Sequence, residues 1–103
     1  MARAPIHPGK ILADELEEID LSAKQLADLI EVPPNRLYQI RAGKRNITVD
    51  TALRLSRYFG TSAHFWMNLQ AAYELDLAQQ EIGKQIQRIP KRSGTPVETR
   101  THA

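Results

Sequence analysis

Two amides, Asn35 and Gln39, stand four residues apart in the stretch Pro34-Asn35-Arg36-Leu37-Tyr38-Gln39-Ile40-Arg41. On a helix that spacing puts both on one face. A side-chain amide offers a donor beside an acceptor, the pattern that matches N6 and N7 of adenine in the major groove. Arg36 can reach a guanine or a phosphate. Tyr38 can touch a thymine methyl with its ring or a phosphate with its hydroxyl. Arg41, Lys44, Arg45 and Asn46 follow, at the end of the same segment, where phosphate contacts fix register without reading sequence. Ser22 and Lys24, upstream, are candidates for the other flanking phosphate.

Other chemistries find little material. Cysteine is absent, which removes disulfides, thiolate nucleophiles and zinc–cysteine sites together. His7, His64 and His102 have no metal-ligand spacing, and neither a nucleophile–base pair nor a phosphate-cradling glycine loop occurs. The chain therefore reads as a non-enzyme with no cofactor and no metal. Trp66 and Tyr73 could stack on bases, but at helical spacing beside Phe65 and Leu69 they read as core.

The elements that must position these residues follow from periodicity and caps. A chain of 103 residues supports one domain and one core. Its net charge of +2 says less than its distribution. From Pro8 to Ile30 acids dominate: Asp14, Glu15, Glu17, Glu18, Asp20 and Asp28 against Lys10 and Lys24. From Glu31 to Gly60 the sign reverses, with Arg36, Arg41, Lys44, Arg45, Arg54 and Arg57 against Glu31 and Asp50. Such segregation fits one face for a polyanion, and equally fits two solvated surfaces.

Pro8 opens a first helix striped by Leu12, Leu16 and Ile19. Ser22 caps a second that carries Leu26, Ala27 and Ile30 inward. Val32-Pro33-Pro34 breaks it. A third helix, Pro34 to Ala42, buries Leu37 and Ile40 and stops at Gly43. Thr48 caps a fourth, with Val49, Ala52, Leu53, Ser56 and Phe59 as its expected core stripe, ended by Gly60. Thr61 or Ser62 caps a fifth, with Phe65, Trp66, Leu69, Ala72, Tyr73 and Leu77 along one stripe. A second stripe of Leu75, Ile82, Ile86 and Ile89 cannot share that face, and suits a second subunit or a partner. The alternative is a bend at Gly83 that folds it back onto its own core. Residues 1–89 thus form the domain, and 90–103 a polar, disordered tail. No apolar run is long enough to span a membrane, and the expected location is the cytoplasm.

Two short helices joined by a tight turn, with Ala27 at their crossing, make a helix-turn-helix. Here the chain becomes recognisable. Val32-Pro33-Pro34-Asn35-Arg36-Leu37-Tyr38-Gln39-Ile40, Gly43-Lys44-Arg45, Ile47-Thr48 and Asp50-Thr51-Ala52-Leu53-Arg54-Leu55 closely resemble HigA-type antitoxins. These belong to the XRE (lambda-repressor-like) helix-turn-helix superfamily. His7-Pro8-Gly9, Phe65-Trp66-Met67-Asn68-Leu69-Gln70 and Tyr73-Glu74-Leu75 match the same family, so the resemblance covers residues 5 to 80. It implies an all-α, five-helix lambda-repressor-like domain with an extended C-terminal helix. It further implies a homodimer that represses its own operon on double-stranded operator DNA and neutralises a HigB-like, mRNA-cleaving toxin. A stand-alone XRE-family regulator without a toxin is the competing reading, and genomic context separates the two. The resemblance has two local departures: Pro33-Pro34 stands where polar residues often open the helix that reads DNA, which moves the reading role to Asn35 and Gln39, and many such domains carry glycine in the turn where this chain has Glu31. A left-handed backbone there would cost energy, or the turn is built differently.

Overall fold

The computed structural model describes residues 4–93, and every regular element among them is a helix. The order is α1 Pro8–Glu18, α2 Ala23–Ile30, α3 Pro34–Arg41, α4 Val49–Phe59 and α5 Ala63–Gln87. The segment after α5 is non-helical as far as Ser93. The rest of the expected disordered tail, 94–103, lies outside the described residues.

Local chemistry explains where the helices start. The His7 side chain caps α1, its Nδ1 accepting from the Gly9 N–H at 2.9 Å, and Pro8 fills the first turn, where no donor is needed. Ser22 and Gln25 cap α2 reciprocally at 3.0 and 2.9 Å, a capping box. Thr48 and Ser62 cap α4 and α5. Each such cap contributes roughly 1 kcal/mol.

The ends of α2 and α3 close in the same way. Glu31 takes a left-handed conformation at φ 63°, and the Val32 N–H returns to the Ala27 carbonyl at 3.0 Å. Gly43 does so at φ 77°, with its own N–H on Ile40 and that of Lys44 on Gln39 at 3.0 and 2.8 Å. Both are Schellman-type closures. The turn of the helix-turn-helix is therefore built in the usual geometry, with a glutamate where glycine would be unstrained.

The core collects Leu12, Leu16, Leu26, Ala27, Ile30, Leu37, Ile40, Ile47, Ala52, Leu55 and Trp66. α3 rests on α1 and α2, and α4 packs on α2 and α5. Trp66 is fully buried, and its indole N–H donates to Thr61 Oγ1 at 3.1 Å, so its polar end is satisfied. Where α1 crosses the end of α3, a Cβ on Gly9 would lie 1.8 Å from the Ile40 carbonyl oxygen. Only glycine fits at that crossing.

Two expected stripes are corrected. In α4 the buried residues are Thr51, Ala52 and Leu55, while Val49 and Leu53 are 61% and 56% exposed. The apolar residues occupy two sides of this short helix, and tertiary packing selects the side holding Leu55. In α5 Trp66 is buried and Leu69 packs against the core, but Phe65, Ala72 and Leu77 face solvent. The helix runs unbroken through Gly83, so the bend that would fold the second stripe inward does not occur. Ile89 lies beyond the helix cap, Arg88.

Candidate nucleic-acid interface

α3 projects as an outer edge because only Leu37 and Ile40 are drawn inward. Asn35 is exposed and Gln39 half-buried on the opposite side. Neither side chain has a hydrogen-bond partner among the described residues, so both amides are free to pair with something else. Tyr38 is 42% exposed, and the Arg41 guanidinium sits 5.9 Å from its ring centroid. That cation–π contact holds two outward residues as a unit.

Arg36 has a different setting. Its Nη1 donates to Asp50 Oδ2 at 2.7 Å, and Asp50 also accepts from Arg54 Nε at 3.1 and 3.2 Å. These two guanidinium groups, Arg36 first, hold the Asp50 carboxyl below the usual carboxylate range. Arg54 reaches further, its Nη1 donating to the Ile30 and Glu31 carbonyls at 2.8 and 3.3 Å. It thereby clasps the left-handed turn from α4 and ties the α3 N-terminus to it through Asp50. Sequence reasoning offered Arg36 to a guanine or a phosphate and counted Arg54 only as surface charge. Their partners lie 14 and up to 24 residues away, beyond any helical-spacing argument.

After α3, the exposed loop Gly43-Lys44-Arg45-Asn46 carries side chains with no ion pair among the described residues. The loop ends at the buried Ile47, whose N–H donates to Gln70 Oε1 at 2.8 Å. Its middle lies beside His7, where the nearby Arg45 backbone favours the protonated ring but burial dominates and lowers the His7 pKa. Arg36, Arg45, Asn46, Thr48 and Arg54 line a hollow at the α4 N-terminus together with the Asp50 carboxylate, which the Arg36 and Arg54 guanidinium groups neutralise. At the other flank Ser22 is occupied as a cap, and Lys24 pairs with Asp28 at 3.2 Å. That pair is exposed on both sides and so weak enough to exchange for a phosphate.

On α5, Leu75, Ile82 and Ile86 recur at intervals of seven and four, hence along one stripe. With Ile89 they are 69%, 41%, 47% and 63% exposed in that order. Among the described residues no group of three or more His, Asp or Glu could hold a metal ion, and no helix is long and apolar enough to cross a membrane.

Two helices at a tight turn, the second outermost and followed by a basic loop, define a helix-turn-helix module. The helix-turn-helix family model HTH_3 matches residues 12–66. Over 77 residues the chain is 51% identical to virulence-associated protein I of Dichelobacter nodosus, covering 74% of this chain and 71% of that one. An addiction-module antidote protein of the HigA family from Coxiella burnetii superposes with TM-score 0.84 at 48% identity, covering 87% of this chain and 99% of that one. Antitoxin HigA of Pseudomonas aeruginosa, solved with its higBA promoter, gives TM-score 0.80 at 47% identity, covering 86% and 98%. The chain belongs to the helix-turn-helix family, within its HigA-type antitoxins.

Proposed function

We propose that this chain is a cytoplasmic antitoxin that represses its own operon and neutralises a HigB-like toxin encoded beside it. The carrying observation is the free, outward pair of amides on α3, bordered by an unpaired basic loop. It stands in a chain 47% identical to an antitoxin solved with its promoter. Asn35 and Gln39 read bases. Tyr38 contributes a methyl or phosphate contact, and Arg36 contributes from its place beside Asp50. Ser22, Lys24, Arg41, Lys44, Arg45 and Asn46 hold phosphates and set the register.

Two copies bind together. A single helix-turn-helix makes few contacts, and a two-fold pair doubles them across half-sites one helical turn apart. The stripe of Leu75, Ile82, Ile86 and Ile89 supplies the surface for the second copy, or for the toxin.

Binding of the chain to its own promoter and to a random duplex across a salt series tests the DNA half. Gln39→Ala should remove roughly 1–3 kcal/mol of discrimination at one base position. Arg45→Ala should weaken both duplexes alike and flatten the salt dependence. Equal losses on both duplexes from Gln39→Ala would refute its reading role. Co-purification with the product of the neighbouring gene tests the antitoxin half, which fails if no adjacent toxin is bound or neutralised.

A further inference from the structure

Among the described residues, Gln70 is the one large polar side chain in the core. It is 4% exposed, and both ends of its amide are used. The oxygen accepts from the Ile47 N–H at 2.8 Å, and the nitrogen donates to Glu74 Oε2 at 2.8 Å. Only one orientation of the amide satisfies both contacts. Rotated by half a turn, it would set its NH2 against the Ile47 N–H and its oxygen against a carboxylate. Glu74 therefore fixes the amide, and the amide fixes the backbone at the end of the Gly43–Ile47 loop.

A second contact reaches the same loop from the same helix. Tyr73 packs edge-on against His7, with ring centroids 4.8 Å apart, and His7 lies beside Gly43 and the Arg45 backbone. Tyr73 and Glu74 follow Gln70 by three and four residues, one turn along α5. The loop thus leaves α3 through the Schellman closure at Gly43 and is anchored to α5 near its middle and at its end.

We infer that Gln70, oriented by Glu74, is a positioning residue for DNA binding: it sets the basic loop in its phosphate-contacting shape without touching DNA. The inference rests on the phosphate role proposed for that loop. Preorganisation is the physical reason. A loop that must be ordered on binding subtracts that ordering free energy from its affinity, and four consecutive exposed residues without side-chain partners would otherwise be free to reorder.

The test uses the full chain, its own promoter duplex and a random duplex of equal length, in fluorescence anisotropy at several salt concentrations. Gln70→Met keeps the length and removes both hydrogen bonds. It should lower affinity for both duplexes about tenfold, as the loss of a buried hydrogen bond and its phosphate register would, and speed amide exchange at Ile47. Gln70→Glu alone places like charges together and should also lose affinity. Adding Glu74→Gln restores the bond between positions 70 and 74 with donor and acceptor exchanged, while the Ile47 N–H still donates to an oxygen at position 70, and affinity should return to within about twofold of the parent. Leu69→Ala, a comparable loss of stability on the same helix, should leave affinity unchanged well below its melting temperature.

Parent-like binding by Gln70→Met overturns the inference, and so does a loss matched by Leu69→Ala. Failure of the exchanged pair to recover affinity overturns it even if Gln70→Met does not fold. Arg45→Ala separates the underlying reading. If that change leaves binding intact, the loop does not hold phosphates, whereas weakening by Arg45→Ala with no effect at Gln70 condemns only the positioning role.

Discussion

Gly9 and Gly83 both lie inside helices, yet their surroundings differ completely. A Cβ at Gly9 would strike the Ile40 carbonyl at 1.8 Å and approach the Arg41 Cα at 3.1 Å, both backbone atoms of α3. The three atoms nearest a Cβ at Gly83 all belong to the Gln79 side chain, led by its Nε2 at 2.7 Å, a flexible end that can swing aside. The first glycine is explained by the chain's own packing and the second is not. That contrast separates the molecule into a finished half, from α1 to the first turns of α5, and an arm whose apolar stripe has no cover among the described residues.

The largest expected effect comes from forcing the finished half apart. Gly9→Ala should cost about 3 kcal/mol, at the upper end for overpacking, because no flexible atom can yield. Urea unfolding measures it, and a change below about 1 kcal/mol would mean that the α1–α3 crossing is loose. Next in size is a change confined to the arm. Ile82→Glu with Ile86→Glu should abolish self-association in sedimentation equilibrium, while the helical circular dichroism of the diluted chain stays as in the parent. Persistent association would move the pairing surface elsewhere.

A smaller effect sharpens the comparison. Gly83→Ala should raise helix stability by about 1 kcal/mol, the propensity difference alone. A loss instead, visible only at concentrations where copies associate, would place a second backbone against that glycine. The smallest effect is a pH dependence of the finished half. Burial lowers the His7 pKa below its ordinary value near 6.5, so the unfolded chain binds the extra proton first. Stability should be complete above about pH 6.5 and fall as pH drops through the folded-state value, because a protonated Nδ1 cannot accept from Gly9. Thermal melts between about pH 5 and 8 read this, and His7→Asn, which retains a capping oxygen, should remove the slope.

Much of the finished half was legible because its signals are local. Ser22, Thr48 and the pair Thr61-Ser62 announce helix starts, Pro34 opens α3, and Gly43 marks where α3 must stop. The outward face of α3 was legible too, since Leu37 and Ile40 can point only one way on so short a helix. The inner face of α4 was not. Val49 and Leu53 are as apolar as Ala52 and Leu55, and only packing against α2 and α5 chooses between them. Phe65 was expected to share the burial of Trp66, but one stripe of α5 meets the core and that stripe takes the indole. The roles of Arg54 and Gln70 were illegible for another reason. Each bonds to backbone groups more than twenty residues away, and no periodicity encodes a side chain's distant backbone partner. Glu31 shows the same dependence: its left-handed φ, costing about 1 kcal/mol or more for a residue with a Cβ, is held by a guanidinium from α4.

The exposed stripe along α5 also bears on how the chain responds to its own abundance. Under the pairing proposed above, the DNA-competent species forms from two copies. While most of the chain is single, its amount rises with the square of the total concentration. Halving the copy number would then empty the operator by up to about fourfold, where a binder complete in one copy would lose at most about half. Leu75, Ile82 and Ile86, by staying uncovered until a second copy arrives, would turn a gradual change in protein level into a threshold for repression.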